Sequence, residues 1–374
     1  MTLEPQMNAD NVSRRSSAAA TRPAVTAGAA ATTRSVLVVQ PLPGIGDMVW
    51  HLPHIRALAR HVGAPVTLLA KPRSHADELF AAEDTVREII WLDRNPPERR
   101  GIHDGPGGLL RLIGTLRQRR FDAAVLLHHS SALALATLAA GIPVRQGYGV
   151  GRQRWFLNVR PYFPRSLLGE HQFQRATRFL RAAGIDMPET EPCLAVTPGA
   201  RDVVLERLSD VPRPLVAMGI GSSEASRQWG ATRIAALAGA LLDAQWPSVA
   251  LLGGSEDAEL LHEIQVRLGA DAARLMPALG WPLTETAALL AEAAFYVGNN
   301  TGVMNMAAAV GIPTYALFGT TPPFHHSRRI VPIVSPSGGP IDGMERVTVA
   351  AVLDVIRVSR GTLEPVRAAT YGAG

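Results

Sequence analysis

"SVLVVQPLPGIGDMVWHLPHIRALAR", residues 35–60, runs from a short apolar segment through a Gly/Pro turn into an amphipathic stretch. The apolar segment has the unbroken Val/Leu character of a parallel strand buried on both faces. Pro41, Pro43, Gly44 and Gly46 end it. Val49, Leu52, Ile55, Leu58, Ala59 and Val62 then recur at helical spacing. Pro53 falls inside that helix, and its missing N–H predicts a shifted start or a kink. One carboxylate, Asp47, stands where the turn becomes the helix. Such an acid either caps the helix or does chemistry, and the local sequence leaves both open.

The same grammar continues outward. "PVTLLAK", "VREIIWL" and "DAAVLLHHS" read as strands, with "GGLLRLIGTLRQRR" a basic amphipathic helix between the last two. "PLVAMGIG" and "SVALLGG" are strands that end in glycine turns, each followed by a helical pattern. "LTETAALLAEA", "AFYVGNNTG", "VMNMAAAVG" and "PTYALFG" extend the alternation. Strands alternating with helices predict α/β architecture with parallel sheets, whose ligands bind beyond the carboxyl ends of the strands. The expected layout is a disordered leader over 1–34 and two Rossmann-like domains, over 35–194 and 195–345, facing across a cleft. A helix over 346–359 is expected to pack back on the first domain, with a tail over 360–374.

Composition narrows the function. The chain has 374 residues and a formal net charge of +5, enough length for two domains. No apolar run reaches the roughly 20 residues that span a bilayer, and the Ala/Thr/Ser-rich leader lacks a secretory apolar block. Cys193 is the single cysteine, so no disulfide framework exists and a reducing, cytoplasmic setting fits. Positive charge is almost all arginine. Arg145, Arg152, Arg154, Arg160, Arg165, Arg175, Arg178 and Arg181 face only Glu170 in sequence. That run is either a solvated surface or a docking surface for phosphorylated or membrane-associated acidic molecules.

Chemistry concentrates at the turns. In "VGNNTGVMNMAAAVGIP", Asn300 or Thr301 can cap a helix opening near Gly302, where backbone N–H groups suit a diphosphate. In "MGIGSSEASRQWG", Ser222 and Ser223 can donate to phosphate oxygens and Arg227 can contact them bidentately. The third glycine of the dinucleotide fingerprint and a P-loop lysine are both absent. In "LLGGSEDAEL", Glu256 and Asp257 can accept from ribose hydroxyls or simply complement a helix dipole. His128–His129 and His325–His326 lack companion acids at zinc spacing, and no G-x-S-x-G elbow is present.

Taken in order, "VLVVQPLPGIGDMVWHLPHIRAL", "GIGSSEASRQWG", "LLGGSEDAEL" and "VGNNTGVMNMAAAVGIPTYALFGTTPP" resemble the family 9 glycosyltransferases, the ADP-heptose:lipopolysaccharide heptosyltransferases and their relatives. The resemblance runs from about Ser35 to Val358 and leaves only the two tails uncovered. It implies the GT-B fold, an acceptor held by the first domain, a nucleotide-sugar held by the second, and transfer with inversion at the anomeric carbon. It implies no metal and no other cofactor. Asp47 matches the family's general base on an acceptor-side loop that includes Gly44 and Gly46. Ser222 and Ser223 match phosphate-binding hydroxyls, and Arg227 stands where the family usually has a lysine on the diphosphate. Thr301 and Gly302 match the diphosphate-binding helix start. Glu256 matches the acid on the ribose, and Trp281 falls near the base-binding position, with a packing tryptophan as the alternative.

Two positions depart from the pattern V-D-T-G-x-x-H: the aspartate is Asn300 and the histidine is Asn305. Both still hydrogen-bond sugar hydroxyls, with one charge and one titratable group fewer. The implied partners are ADP-heptose or a related sugar nucleotide, and a phosphorylated glycolipid or oligosaccharide acceptor. Peripheral contact with the anionic inner membrane is implied too, and nucleic acid is not. The alternatives are another donor, a protein acceptor, a non-catalytic sugar-nucleotide binder, and, with less support, an epimerase of the same architecture.

Overall fold

The computed structural model describes residues 35–362, except 98, 223, 320–321, 324–326 and 335–342. The expectations for the leader, for most of the tail, for Ser223 and for His325–His326 lie outside the described residues.

The first half builds β1 (Val36–Gln40), α1 (Ile45–Val62), β2 (Val66–Ala70), α2 (Ala76–Leu79), β3 (Val86–Trp91), α3 (Gly105–Arg119), β4 (Ala123–Leu126), α4 (Ser131–Ala139), β5 (Val144–Gly147) and α5 (Gln172–Ala182). Its five strands are parallel in the order β3-β2-β1-β4-β5. The second half builds α6 (Pro198–Arg207), β6 (Leu215–Gly219), α7 (Ala231–Asp243), β7 (Ser248–Gly253), α8 (Ala258–Leu268), β8 (Leu275–Leu279), α9 (Leu283–Ala291), β9 (Tyr296–Asn299), α10 (Gly302–Ala309), β10 (Thr314–Phe318), β11 (Ile330–Val334) and α11 (Val349–Arg360). Its six strands are parallel in the order β11-β10-β9-β6-β7-β8. Each half therefore reverses strand order beside its first strand, which opens a crevice at the carboxyl ends of β1 and β4 and of β6 and β9.

The apolar runs become strands because burial on both faces rewards them: every residue of β1, β2, β6 and β10 is buried. α1 starts at Ile45 and continues through Pro53 to Val62 as one helix, so Pro53 does not shift its start. Burial of Met48, Leu52, Ile55 and Leu58 along α1 offsets the hydrogen bond that Pro53 cannot make. α1 packs on α10, and one buried cluster runs from Val38 and Leu52 to Leu289, Met304 and Ala307. The two halves thus share a core beneath their cleft. A polar tie reinforces it: Leu283 N, at the start of α9, donates to Glu78 of α2 (2.5 Å).

The crossing chain is tied at both ends. Glu189 accepts from Arg56 (3.1 Å) and Arg60 (2.7 Å) of α1, whereas Glu191 accepts from Ser327 Oγ (2.9 Å) and Arg328 Nε (2.7 Å) of the second half. Two residues apart in the crossing chain, these acids thus tie it to opposite halves. One expectation is overturned. α11 packs on α7 and β11 rather than on the first domain, because Val352 and Ile356 complete the second half's own core. Arg360 at its end lies over Trp246 and Phe295, with centroid distances of 5.1 and 5.0 Å.

Candidate active site

A cleft of about 960 Å³ opens where the two crevices meet. From the first half it is lined by Gly44, Gly46, Asp47, Trp50, Arg73, His75, His171 and Gln172. From the second half come Ser222, Glu224, Arg227, Glu256, Asn300, Thr301, Gly302 and Asn305. Of the expected site residues, Trp281 is not brought there. It packs against the core under Arg207, whose guanidinium carbon lies 4.4 Å from the ring centroid.

Asp47 is both a cap and a group open to the cleft. Oδ2 accepts from Gly44 N (3.1 Å), the cap of α1, and Oδ1 accepts from Gln172 Nε2 (2.5 Å), delivered by α5. A carboxylate offers about four lone-pair sites, so capacity remains on the cleft side. The turn beneath it is also fixed. His51 Nδ1 donates to the Asp47 carbonyl (2.7 Å), and Gln40 Nε2 donates to that carbonyl as well (3.3 Å). Burial pushes the His51 imidazole below its usual range, and it is held neutral with Nε2 buried and unpartnered. His54, one turn on, is pushed down further for the same reason and bonds Thr177 Oγ1 (2.8 Å).

The opposite wall is built from donors. Thr301 occupies the N-cap position of α10 without a side-chain hydrogen bond into the helix. The first N–H groups of α10 therefore face the cleft at the positive end of the helix. Arg227 is held by Glu224 (3.0 Å), while its buried Nε has no partner among the described residues. Asn305 is 7% exposed; its Nδ2 donates to Thr301 O (3.1 Å), and its Oδ1 has no partner among the described residues. Ser222 Oγ donates to Glu224 O (2.9 Å), so in this state the hydroxyl holds the loop together. The two acids after β7 separate: Asp257 accepts from Gly254 N (2.8 Å) as a cap, and Glu256 stands exposed at the cleft. Among the described residues, no three His, Cys, Asp or Glu side chains come together as a cation site.

The two walls touch. A Cβ on Gly302 would meet Ile45 Cβ at 2.7 Å and Gly46 N at 3.3 Å, so α1 and α10 meet start to start through glycine. The sequence reading missed Gln172, His171, His75 and Arg73. The spacing of Phe173, Ala176, Phe179 and Leu180, all buried on α5, is the signal that could have found that helix and with it Gln172.

Comparison with known proteins fits this geometry. The model for glycosyltransferase family 9 (heptosyltransferase) matches residues 109–333. The chain belongs to that family. It is a glycosyltransferase. It is 28% identical over 323 residues to lipopolysaccharide heptosyltransferase 2 of Escherichia coli, covering 80% of this chain and 88% of the relative. The structure of E. coli ADP-heptose lipopolysaccharide heptosyltransferase II superposes with a TM-score of 0.68 at 25% identity, over 88% of this chain and 100% of that one. A family 9 glycosyltransferase from Veillonella parvula shares the fold, with a TM-score of 0.71 at 16% identity over 88% and 97% of the two chains. The two-sheet architecture is therefore GT-B. Among the described residues, no helix is long and apolar enough to cross a membrane.

Proposed function

We propose that this family 9 glycosyltransferase moves heptose from ADP-heptose to a lipopolysaccharide core acceptor, with inversion and without a metal. The single observation that carries the reading is the pairing of opposite chemistries in one cleft: a carboxylate on the first half, and on the second an arginine whose Nε has no partner among the described residues, beside a helix start that the Thr301 side chain does not cap. In the proposed step the acceptor hydroxyl attacks the anomeric carbon from the Asp47 side and gives its proton to the carboxylate. The bond from that carbon to the diphosphate breaks, and ADP leaves with the electron pair. Arg227 and the start of α10 at Thr301–Gly302 hold the departing charge, which is the task a metal would otherwise perform. Glu256 accepts from the ribose, and Ser222 contacts the phosphates. Asn300 and the orphan Oδ1 of Asn305 bond sugar hydroxyls.

The acceptor is a phosphorylated glycolipid or oligosaccharide, met on the cytoplasmic side of the inner membrane. The family name, the E. coli relatives and the acceptor-side carboxylate support this reading together. The test combines the purified protein, ADP-heptose and a deacylated core acceptor, with product followed by mass spectrometry and anomeric configuration by NMR. Transfer with inversion, kept in the presence of a chelator and lost in Asp47→Asn, is the expected result. Transfer from another sugar nucleotide only would keep the enzyme and overturn the heptose assignment. Donor binding without transfer to any acceptor would leave a non-catalytic binder.

A further inference from the structure

The arginine-rich run divides by what each member meets. Arg145 is tied to the carbonyls of Ile142 and Phe156, Arg175 is turned onto the Tyr148 ring, and Arg178 pairs with Glu170. Arg152, Arg154, Arg160 and Arg165 remain exposed, and no acidic residue occurs anywhere from position 123 to 169. Among them stands Trp155, 65% exposed, whereas Trp50, Trp229 and Trp246 are at most 3% exposed.

This exposure is not loose packing. Trp155 sits on the 3-10 turn Gly151–Phe156, which is pinned from beneath. Gln153 is fully buried, donates to His128 O (2.6 Å) and accepts from Gly149 N (2.9 Å). Arg145 Nε donates to Phe156 O (2.8 Å) from the other end of the turn. The turn rests on α4, whose Leu138 is itself 39% exposed. A rigid indole held in water beside guanidinium groups that pair with no acid among the described residues is the chemistry of a membrane interface. The ring lies at headgroup depth and the arginines meet lipid phosphates. The turn also leaves the carboxyl end of β5 and lies on the end of β4, the same edge of the sheet at which Asp47 opens.

We infer that the turn Gly151–Phe156 docks the first half on an anionic bilayer, with Trp155 as the inserted anchor and Arg152, Arg154, Arg160 and Arg165 as its phosphate contacts. A lipid-linked acceptor then reaches the Asp47 side of the cleft from the surface on which the enzyme sits. The use of the surface rests on the proposed function, but the surface itself is tested without activity.

The full chain is floated with vesicles of phosphatidylglycerol and phosphatidylcholine and, separately, of phosphatidylcholine alone. Binding to the anionic vesicles only, weakening as salt is raised, is expected. Arg152→Glu with Arg154→Glu lowers the partition coefficient at least about ten-fold, and Trp155→Ala lowers it by about three- to ten-fold. Both variants keep the wild-type melting temperature and the wild-type rate on a deacylated acceptor, since neither residue lines the cleft. With the exposed Cys193 replaced (Cys193→Ser), a fluorophore on Trp155→Cys shifts to the blue on anionic vesicles. Absent vesicle binding, binding unchanged in both variants, or a label that stays in water would each overturn the inference. Equal binding to heparin that is indifferent to Trp155→Ala would assign the patch to a soluble polyanion instead. A chain that binds vesicles but transfers no sugar would retire the proposed function and leave this surface standing.

Discussion

The two halves share a strand order and a crevice, yet they finish their edges in opposite ways. At the start of α1 the backbone turn is satisfied from within: Asp47 caps Gly44 N, and Gln172 and His51 fix the carboxylate and its carbonyl, with His51 Nε2 the buried atom that lacks a partner among the described residues. At the start of α10 the Thr301 side chain makes no capping bond, and Arg227 and Asn305 each keep a buried polar atom without a partner among the described residues. A finished edge holds a reactive group still. An unfinished edge is completed by a ligand, because a buried unpaired donor or acceptor costs about 1–3 kcal/mol until it is met. On the proposed mechanism the same fold supplies a preorganised base and an anion cradle, and the difference lies in which helix start has been capped.

The largest expected effects attack this contrast directly. Asp47→Asn keeps the cap to Gly44 N but cannot take a proton, so kcat falls by about 10²–10⁴-fold with donor affinity and melting temperature unchanged. Asp47→Ala loses both functions and also destabilises α1 by about 1 kcal/mol. Equal activities for the Asp47→Asn variant and the wild-type enzyme in a coupled transfer assay would make Asp47 a cap alone. Arg227→Ala is expected to act from the other side. Donor binding by calorimetry weakens about ten-fold or more, and kcat falls with it as the leaving diphosphate loses its cation.

The meeting point of the two edges comes next. Gly302→Ala places a Cβ 2.7 Å from Ile45 Cβ, and neither atom is the far end of a flexible chain. The two helix starts must separate. The expected outcome is a fall of about 10²-fold in kcat/KM, the cost of a displacement near 1 Å at a reacting pair. A crystal structure of the variant with unmoved helices and normal turnover would show that the close approach is dispensable. Gln172→Ala is smaller: kcat drops about ten-fold with donor KM unchanged, because only the aim of Asp47 is loosened. Gln172→Glu sets a second carboxylate against the first and is expected to be worse than alanine. A variant whose KM rises instead would place Gln172 in binding.

How much of this was legible in sequence follows from burial. The central strands β1, β2, β6 and β10 read as apolar runs because both their faces are covered. The three strands that the reading lacked, β5, β8 and β11, all lie at sheet edges. There one side is unpaired, so VRQG, LMPAL and IVPIV tolerate polar residues and prolines that a central strand would reject. The glycine turns exposed the donor wall, since Gly302 and Arg227 sit at strand ends within short motifs. Gln172 was out of reach because its partner lies 125 residues away and only packing of α5 on α1 unites them. Trp281 lies under Arg207 and away from the cleft lining for a related reason: nearness in sequence to a turn says nothing about which way a ring packs.

The contrast between the halves extends to acid stability, where the expected effect is the smallest. In the first half His51, His54 and His128 are kept neutral by burial, and His128 is pushed down to about 3. In the second half the described residues include only His262, which is exposed. Unfolded, an imidazole takes its proton near pH 6.5. Below that value the unfolded chain binds more protons than the folded one, so the histidines' contribution is complete above about pH 6.5 and is lost as pH falls toward the folded values. Carboxylates blur the comparison only lower down. Glu292 is held below its usual range by Arg213 and Arg201, and its contribution starts to fade near about pH 4.5. Between those limits the first half alone is expected to weaken, by about 1–3 kcal/mol at the acid end. Hydrogen exchange followed across that interval reads each half separately. Amides of β1, β4 and α1 should lose protection before those of β6 and β9. His128→Gln, which cannot take up a proton in either state, should narrow the gap. Parallel loss in both halves would mean that the shared core around Leu52 and Met304 makes them unfold as one unit, and that the difference between the two edges is confined to chemistry.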